Sequence, residues 1–281
     1  MSTITPQKTL SARSGPIDHR PAQWGRRWAA AWPSLALAAV LVAAWELIVV
    51  VLEVSDFVIA RPSAIAAELV FSADLLWEAT IVTIQEIVYG FGLSIAIGMA
   101  LALLIVRFSW IDRAVYPLVV LFQVVPKVAL APIFILWFGY GLTPKLLLIV
   151  VIAFFPITLN MIVGLKSFDP DLQTLMKSVG ASRNAFLWRV QFPTALPFLL
   201  AGLRIAITLA VIGAVVAEFS GASAGLGYLI QFASTQLDTA LMFAALAAIS
   251  FLGLALYYAI YVLELLLGIA YPHVRTNRVD S

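Results

Sequence analysis

The side chains that could do chemistry in this chain are few, and their distribution excludes most enzyme sites. The chain has no cysteine and only two histidines, His19 and His273, both near the termini. Thiolate chemistry is therefore excluded, and a histidine-dependent catalytic or metal centre within the apolar part is not expected. We also find no nucleophile beside a general base at a recognisable spacing. The sequence predicts no catalytic residue, no metal site and no cofactor of its own.

One lysine inside an apolar run is the most informative charged residue. Lys127 lies between Pro126 and Pro132 in the stretch QVVPKVALAPIFILWFGYG. Each proline removes a backbone hydrogen bond, so a helix is expected to kink or break there. A charge at membrane depth should face a cavity, a carboxylate or freed carbonyl groups. These residues are predicted to line a solute pathway; a kinked helix with a lysine that reaches the membrane surface is the alternative.

A carboxylate follows a ridge of small residues. Gly202, Ala206, Ala210 and Ala214 recur every fourth residue and lead to Glu218. Small residues at this spacing allow two membrane helices to pack closely. Glu218 is therefore predicted at the external mouth of the pathway.

The loop after this carboxylate reads GASAGLGYLI and carries Gly221, Gly225 and Gly227. Glycine permits close approach of the backbone to another surface, so these glycines are predicted to form an external gate loop. No strand precedes the loop and its glycine spacing is wrong, which excludes a dinucleotide-binding site. Glu86, in an earlier apolar run, is expected near an outer helix end, where it reaches water.

The elements that must position these residues are membrane helices. The chain is 63% hydrophobic and 11% charged, and its mean hydropathy is +1.02, a composition that soluble domains do not show. Apolar runs of membrane-spanning length predict an all-α polytopic membrane protein with six transmembrane helices. These spans are residues 32–52, 79–106, 114–138, 145–165, 195–217 and 240–267.

Lysine and arginine are unevenly distributed between the connecting segments. Most of them lie in the two tails and in the segments 107–113 and 166–189, whereas the opposite side has only Arg61 and Lys145. The positive-inside rule places the rich side, with both termini, in the cytoplasm. The predicted organisation is a basic cytoplasmic tail (1–31), a first transmembrane helix (32–52), an external loop (53–76), a membrane core (77–265) and a cytoplasmic tail (268–281).

The only sizeable polar segment between apolar runs begins at Asp169 and reads DPDLQTLMKSVGASRNAFLWRVQFPTALP. Asp169 and Ser182 are good N-caps, and Gly180 can end a helix, which predicts two short helices joined by a glycine corner. Pro193 is expected to end the second helix and Thr194 to cap the membrane helix that follows. The apolar face with a basic rim suggests a docking surface; a plain connecting loop is the alternative.

This segment resembles the EAA loop of bacterial ABC importer permeases. In that family the triplet EAA is followed, after three residues, by glycine and, after nine more, by I-x-L-P. Here Gly180 is followed by Val190 and then by Phe192 and Pro193, while Thr174 occupies the acidic position of the triplet. The stretch around Lys127 and the later AGLRIA are similar to the nitrate, sulfonate and taurine branch of the family.

The resemblance implies residue roles by position in the motifs. Contact with an ATPase is expected from Leu172, Leu175, Met176, Val179, Gly180, Arg183, Phe186 and Pro193. A translocation pathway is expected at Pro126, Lys127, Pro132 and Glu218. The ATP would be bound by the partner, because this chain has no Walker A motif.

Over about residues 77–265, the resemblance implies the type I ABC importer permease fold in a multi-pass protein of the bacterial inner membrane. Such a subunit is not an enzyme: it forms the pathway for a small solute, of sulfonate, nitrate, taurine or pyrimidine type. The implied partners are ABC ATPase subunits, a periplasmic binding protein, a second copy of the chain and membrane lipid, with no nucleic acid. A secondary transporter and a non-transporting membrane scaffold are the alternatives, although the sequence shows no inverted repeat.

Overall fold

The computed structural model describes the backbone of residues 24–270 and the side chains of residues 32–267; the rest of the two predicted tails lies outside these residues. The chain divides into two compact units between Ile48 and Val49. The helices are α1 (Trp24–Val51), α2 (Pro62–Phe71), α3 (Ala73–Arg107), α4 (Ser109–Leu121), α5 (Ala131–Phe138), α6 (Leu142–Lys166), α7 (Pro170–Ser178), α8 (Arg183–Phe186), α9 (Phe192–Gly221), α10 (Leu226–Thr235) and α11 (Thr239–Ala270).

Within the part of the chain that the structure describes, five helical segments are long and apolar enough to cross a membrane. They are Trp32–Val51, Ala73–Arg107, Leu142–Lys166, Arg183–Gly221 and Thr239–Leu267. Each coincides with one of the predicted spans, and the helical elements between them are short. The prediction of an all-α polytopic membrane protein is confirmed.

The third predicted span is not one helix. It consists of α4, a 3₁₀ turn at Lys127–Leu130 and α5. Pro126 immediately precedes the 3₁₀ turn, and Pro132 lies in the first turn of α5. Proline is tolerated in a first turn because the missing N–H would have no partner there. The predicted break at the two prolines is confirmed.

Helix α6 forms the centre of the second unit, where it packs against both α3 and α9. Its side chains Leu148, Ile149 and Ile157 are fully buried. Glycines on the neighbouring helices let their backbones come close to it. A Cβ at Gly98 of α3 would lie 2.9 Å from the carbonyl oxygen of Phe154, and the small residues of α9 are buried in the same way.

The junction of α8 and α9 differs from the sequence prediction. Pro193 does not end a helix; it lies in the first turn of α9, directly after a π turn at Leu187–Gln191. The wider turn accommodates proline, whose ring and missing N–H are incompatible with a regular α-helical turn. Thr194 does not cap the membrane helix, because its hydroxyl donates to the Val190 carbonyl at 2.8 Å. The chain is therefore helical without interruption from Arg183 to Gly221.

Close packing of α3 on α6 predicts a position-dependent effect of valine on α3. Gly98→Val should destabilise the protein by about 1–3 kcal/mol, because the new side chain overlaps α6. Gly92→Val is the matched control: it carries the same helix-propensity cost, but nothing lies within 4 Å of a Cβ at Gly92. Thermal unfolding of the detergent-purified variants measures the difference, and equal melting temperatures would contradict this packing.

Candidate functional site

A buried carboxylate lies where three helices of the second unit meet. Glu218, near the end of α9, is 1% exposed. The ridge that leads to it packs against α6: Ala206, Ala210 and Ala214 are fully buried. The prediction that this ridge allows close helix packing is confirmed, but Glu218 lies inside the bundle rather than open to solvent.

The Glu218 carboxylate binds the first turn of α10. Its Oε2 accepts the Gly227 N–H at 2.5 Å. The other oxygen, Oε1, accepts the Thr83 hydroxyl of α3 at 2.7 Å. Thr83 Oγ1 in turn accepts the Leu226 N–H at 2.8 Å. Two N–H groups that have no partner within their own helix are thus satisfied, and a negative charge lies at the positive end of α10.

The glycines of the loop make this arrangement possible. Gly225 has φ +114°, and a Cβ there would lie 2.3 Å from Glu218 Oε1. At Gly227 a Cβ would lie 2.8 Å from Glu218 Oε2. Gly221 faces Tyr140 instead, with 2.7 Å between a Cβ and the ring. At Gly225 and Gly227, the absence of a side chain therefore lets the backbone approach the Glu218 carboxylate.

A buried ion pair lies beside this carboxylate. Lys145 Nζ of α6 is 2.5 Å from Glu86 Oε1 of α3, and the two side chains are 12% and 4% exposed. Glu86 was expected to reach water but is buried, and its partner Lys145 lies in the first turn of α6. Glu86 also neighbours Glu218, so Lys145 attracts two carboxylates at once. Removing one partner of such a pair would leave an uncompensated charge, so each group needs the other.

The ion pair lies beneath a depression in the surface. This depression has a volume of about 490 Å³ and is lined by Tyr140, Gly141, Lys145, Gly221, Ala222 and Ser223. Lys145 thus joins the buried cluster to the surface that carries the start of the glycine loop.

Two residues of this cluster, Thr83 and Lys145, were not predicted from the sequence. A signal was present for Thr83, because Thr83, Glu86 and Gly90 recur at helical spacing and all three are buried. No comparable pattern marks Lys145, which the sequence places as the first residue of a predicted span. Its partner is 59 residues away along the chain.

Lys127 lies apart from this cluster. It is half-buried, its Nζ is 3.4 Å from the Gln123 carbonyl oxygen, and it lies 5.8 Å from the centre of the Phe155 ring. A freed carbonyl and an aromatic face therefore compensate its charge. Pro126 and Pro132 flank it, at the start of the 3₁₀ turn and in the first turn of α5.

The polar segment has the two predicted N-caps and the glycine corner, but only its first helix, α7, is short and separate, because the second continues through the π turn into α9. Asp169 accepts the Asp171 N–H at 2.9 Å, and Ser182 accepts the Ala185 N–H at 3.2 Å. Gly180 ends the first helix with φ +73°, and the Ala181 N–H donates to the Met176 carbonyl. Local side-chain and backbone bonds therefore determine this corner.

The apolar residues of this segment point in two directions. Leu172, Leu175 and Val179 are 44%, 59% and 70% exposed. Met176 and Phe186 are half-buried and line a groove against the end of α3 and the start of α4. The exposed apolar face is thus made of Leu172, Leu175 and Val179, with Gly180 at its end; Arg183 and Pro193 lie in the segment that returns to the membrane.

Comparison with known proteins finds a family model, curated relatives and solved structures similar to this chain. Residues 92–271 match the family model described as binding-protein-dependent transport system inner membrane component. A probable ABC transporter permease protein of Haemophilus influenzae is 37% identical over 226 residues, which cover 80% of this chain and 92% of the relative. The formylaminopyrimidine transport permease ThiX of Halalkalibacterium halodurans is 44% identical over 182 residues, 65% of this chain and 73% of the relative. Among solved structures, a chain of the methionine ABC transporter MetNI in an inward-facing conformation is 21% identical with a TM-score of 0.49, covering 69% of this chain and 98% of that one.

The bonds around Glu218 predict a specific role for Thr83. Thr83→Val keeps the shape but leaves the Leu226 N–H without its acceptor, which should destabilise the protein by about 1–3 kcal/mol. Hydrogen exchange in the first turn of α10 should accelerate, because that turn loses a partner.

Thr80→Val is the matched control. Thr80 lies on the same helix, and its hydroxyl bonds the Leu76 carbonyl of its own helix at 2.6 Å. This change should alter the free energy of unfolding by no more than about 0.5 kcal/mol. If both variants left the exchange of α10 unchanged, the link from α3 to α10 would be unimportant.

Proposed function

Because this chain belongs to the family of binding-protein-dependent transport system inner membrane components, the permeases of ABC importers, we propose that it is the transmembrane subunit of an ATP-driven importer. It is a multi-pass inner membrane protein that serves the transport of a small solute. This membership excludes the secondary transporter and the scaffold as functions. In the proposed complex, separate ATPase subunits bind and hydrolyse ATP, so this chain binds no nucleotide and is not an enzyme.

The observation that carries the proposal is the exposed apolar face of α7. Leu172 and Leu175 lie on α7 and Val179 directly follows it, outside the membrane-length helices, and each of the three is more than two-fifths exposed. Burying three such side chains against a partner is favourable by about 1.5–3 kcal/mol each when burial is complete. This face supports docking of an ATPase, with Gly180, Arg183 and Phe186 shaping and flanking the contact.

The pathway is proposed to run beside the broken third span. Lys127, between Pro126 and Pro132, presents a charge on irregular backbone, which at membrane depth is tolerated where it lines a cavity. Glu218 takes part by holding the loop with Gly221, Gly225 and Gly227 at the outer mouth. We further propose that two copies of the chain enclose this pathway and that a periplasmic binding protein delivers the solute above the loop.

The solute is proposed to be a small polar molecule of pyrimidine or sulfonate, nitrate or taurine type. The pyrimidine class is supported by the relative from Halalkalibacterium halodurans, which is a formylaminopyrimidine permease at 44% identity. Selectivity in such importers is proposed to reside mainly in the binding protein.

The orientation follows from the distribution of lysine and arginine, which supports cytoplasmic termini. The chain has no cysteine, so single cysteines can report the side of the membrane. Ser178→Cys, beside the docking face, should react with a membrane-impermeant maleimide only after the membrane is permeabilised, which gives the reagent access to the cytoplasmic side. Ser223→Cys, in the glycine loop, should react in intact spheroplasts, and both positions are exposed. The reverse pattern would refute the proposed orientation.

Docking through an apolar face predicts different effects for two adjacent residues. Leu175→Glu places a charge in the contact and should reduce co-purification of the ATPase at least about tenfold, with parallel loss of uptake. Both effects should appear while the membrane level of the permease stays normal, since α7 lies outside the membrane-length helices.

Thr174→Glu is the matched control. It adds the same charge one residue earlier and restores the acidic residue of the family's loop. This variant should keep the ATPase bound and sustain uptake. Equal co-purification of the ATPase with Leu175→Glu and with the unchanged protein would show that α7 is a plain connecting helix.

A further inference from the structure

A basic groove lies between the end of α3 and the polar segment of α7, α8 and the π turn, which we call the docking segment. Its volume is about 370 Å³, and it is lined by the end of α3, the start of α4 and the segment of α7, α8 and the π turn. Three basic side chains line it from opposite walls: Arg107 from α3, and Lys177 and Arg183 from the docking segment. Ser109 and Gln191 add polar groups between them.

The positive charge of this groove is not neutralised by its own carboxylate. Asp112 lines the groove but is held by Lys166, whose Nζ is 2.9 and 3.0 Å from the two carboxylate oxygens. Among the described residues, no carboxylate lies within ion-pair distance of Arg107, Lys177 or Arg183. Three cations therefore line a space whose one carboxylate, that of Asp112, is already paired with Lys166.

The residues around the groove are of the types expected at the depth of lipid headgroups. Arg107 is the last residue of the membrane-length helix α3. Trp110, in the first turn of α4, and Trp188, in the π turn, are 68% and 56% exposed. Tryptophan is enriched at the membrane–water interface. Towards the membrane interior, Leu104 and Leu118 are exposed at 47% and 63%. An amphiphile could thus place a charged head in the groove and its chains along this apolar surface.

We propose that this groove binds a phosphate group, and that its occupant is the phosphodiester headgroup of an anionic phospholipid. Arginine and lysine recognise phosphate by charge-assisted hydrogen bonds, and basic pockets on the cytoplasmic side of membrane helices suit lipid headgroups. The lipid source is favoured over free phosphate by the apolar surface beside the groove. A bound headgroup would bridge Arg107 to Lys177 and Arg183, and so tie the docking segment to α3. The site does not depend on which solute is transported or on which chain supplies the ATPase.

The test is native mass spectrometry of the full chain released from detergent micelles after incubation with phosphatidylglycerol or phosphatidylcholine. The unchanged chain should retain phosphatidylglycerol in preference to phosphatidylcholine. Lys177→Gln combined with Arg183→Gln should lower phosphatidylglycerol retention at least about tenfold, because two of the three cations are removed.

Arg113→Gln is the matched control, because Arg113 is a basic, exposed residue of α4 that does not line the groove. It removes a positive charge from the same membrane face and should leave phosphatidylglycerol retention unchanged. Ala181→Met, at the wall of the groove, fills the space without changing the charge and should also lower retention. The melting temperature of each variant is measured as well, so that loss of lipid binding can be distinguished from loss of folding.

Three outcomes would overturn the proposal. Equal phosphatidylglycerol retention by the double variant and by Arg113→Gln would show that the groove does not bind the headgroup. Equal retention of phosphatidylcholine and phosphatidylglycerol by the unchanged chain would show that the groove does not select for the negative charge of the headgroup. Displacement of the lipid by millimolar inorganic phosphate would identify a soluble phosphate as the occupant in place of the lipid.

Discussion

A carboxylate inside a membrane bundle requires donors on every side, because no water is available to replace a missing hydrogen bond. Glu218 accepts hydrogen bonds from the Thr83 hydroxyl and the Gly227 N–H. The Thr83 hydroxyl in turn accepts the Leu226 N–H. These bonds join α3 to the end of α9 and the start of α10, which lie more than 130 residues further along the chain. The position of the glycine loop thus follows from the need to satisfy one buried charge, and the glycines are the residues that allow its approach.

Packing without a hydrophobic driving force explains the rest of the bundle. In lipid, apolar side chains gain little by leaving one apolar surface for another, so close van der Waals contact between helices matters more. Gly98 and Gly202 bring the backbones of α3 and α9 against α6, with a Cβ at either position within 3.0 Å of α6 atoms. The ion pair between Lys145 and Glu86 then joins α6 to α3 at one end of this contact. Close packing and buried polar bonds therefore stabilise the same group of helices.

The docking segment obeys different physics. Its first helix, α7, lies outside the membrane-length helices, and local bonds of the two caps and the left-handed glycine define α7 and the start of the next helix. Its leucines and valine are exposed, while Lys177 and Arg183 line a groove whose one carboxylate is paired with Lys166. A rigid corner of this kind can present an apolar face to one partner and a charged face to the membrane surface, and movement of either would reach α9 through the uninterrupted helix from Arg183.

The sequence by itself determined what depends on neighbouring residues. Apolar length determined the membrane-length helices, proline the break around Lys127, Asp169 and Gly180 the two ends of α7, and Ser182 the start of the next helix, because each effect acts within a few residues of its origin. Only the tertiary structure decided the rest. Glu86 pairs with a lysine 59 residues away and Thr83 with a glutamate 135 residues away, and periodicity on one helix cannot identify a partner on another. Pro193 sits inside a continuous helix because a π turn precedes it, and Met176 faces inward because α3 and α4 stand behind it. These outcomes depend on which helices pack together, which no local pattern states.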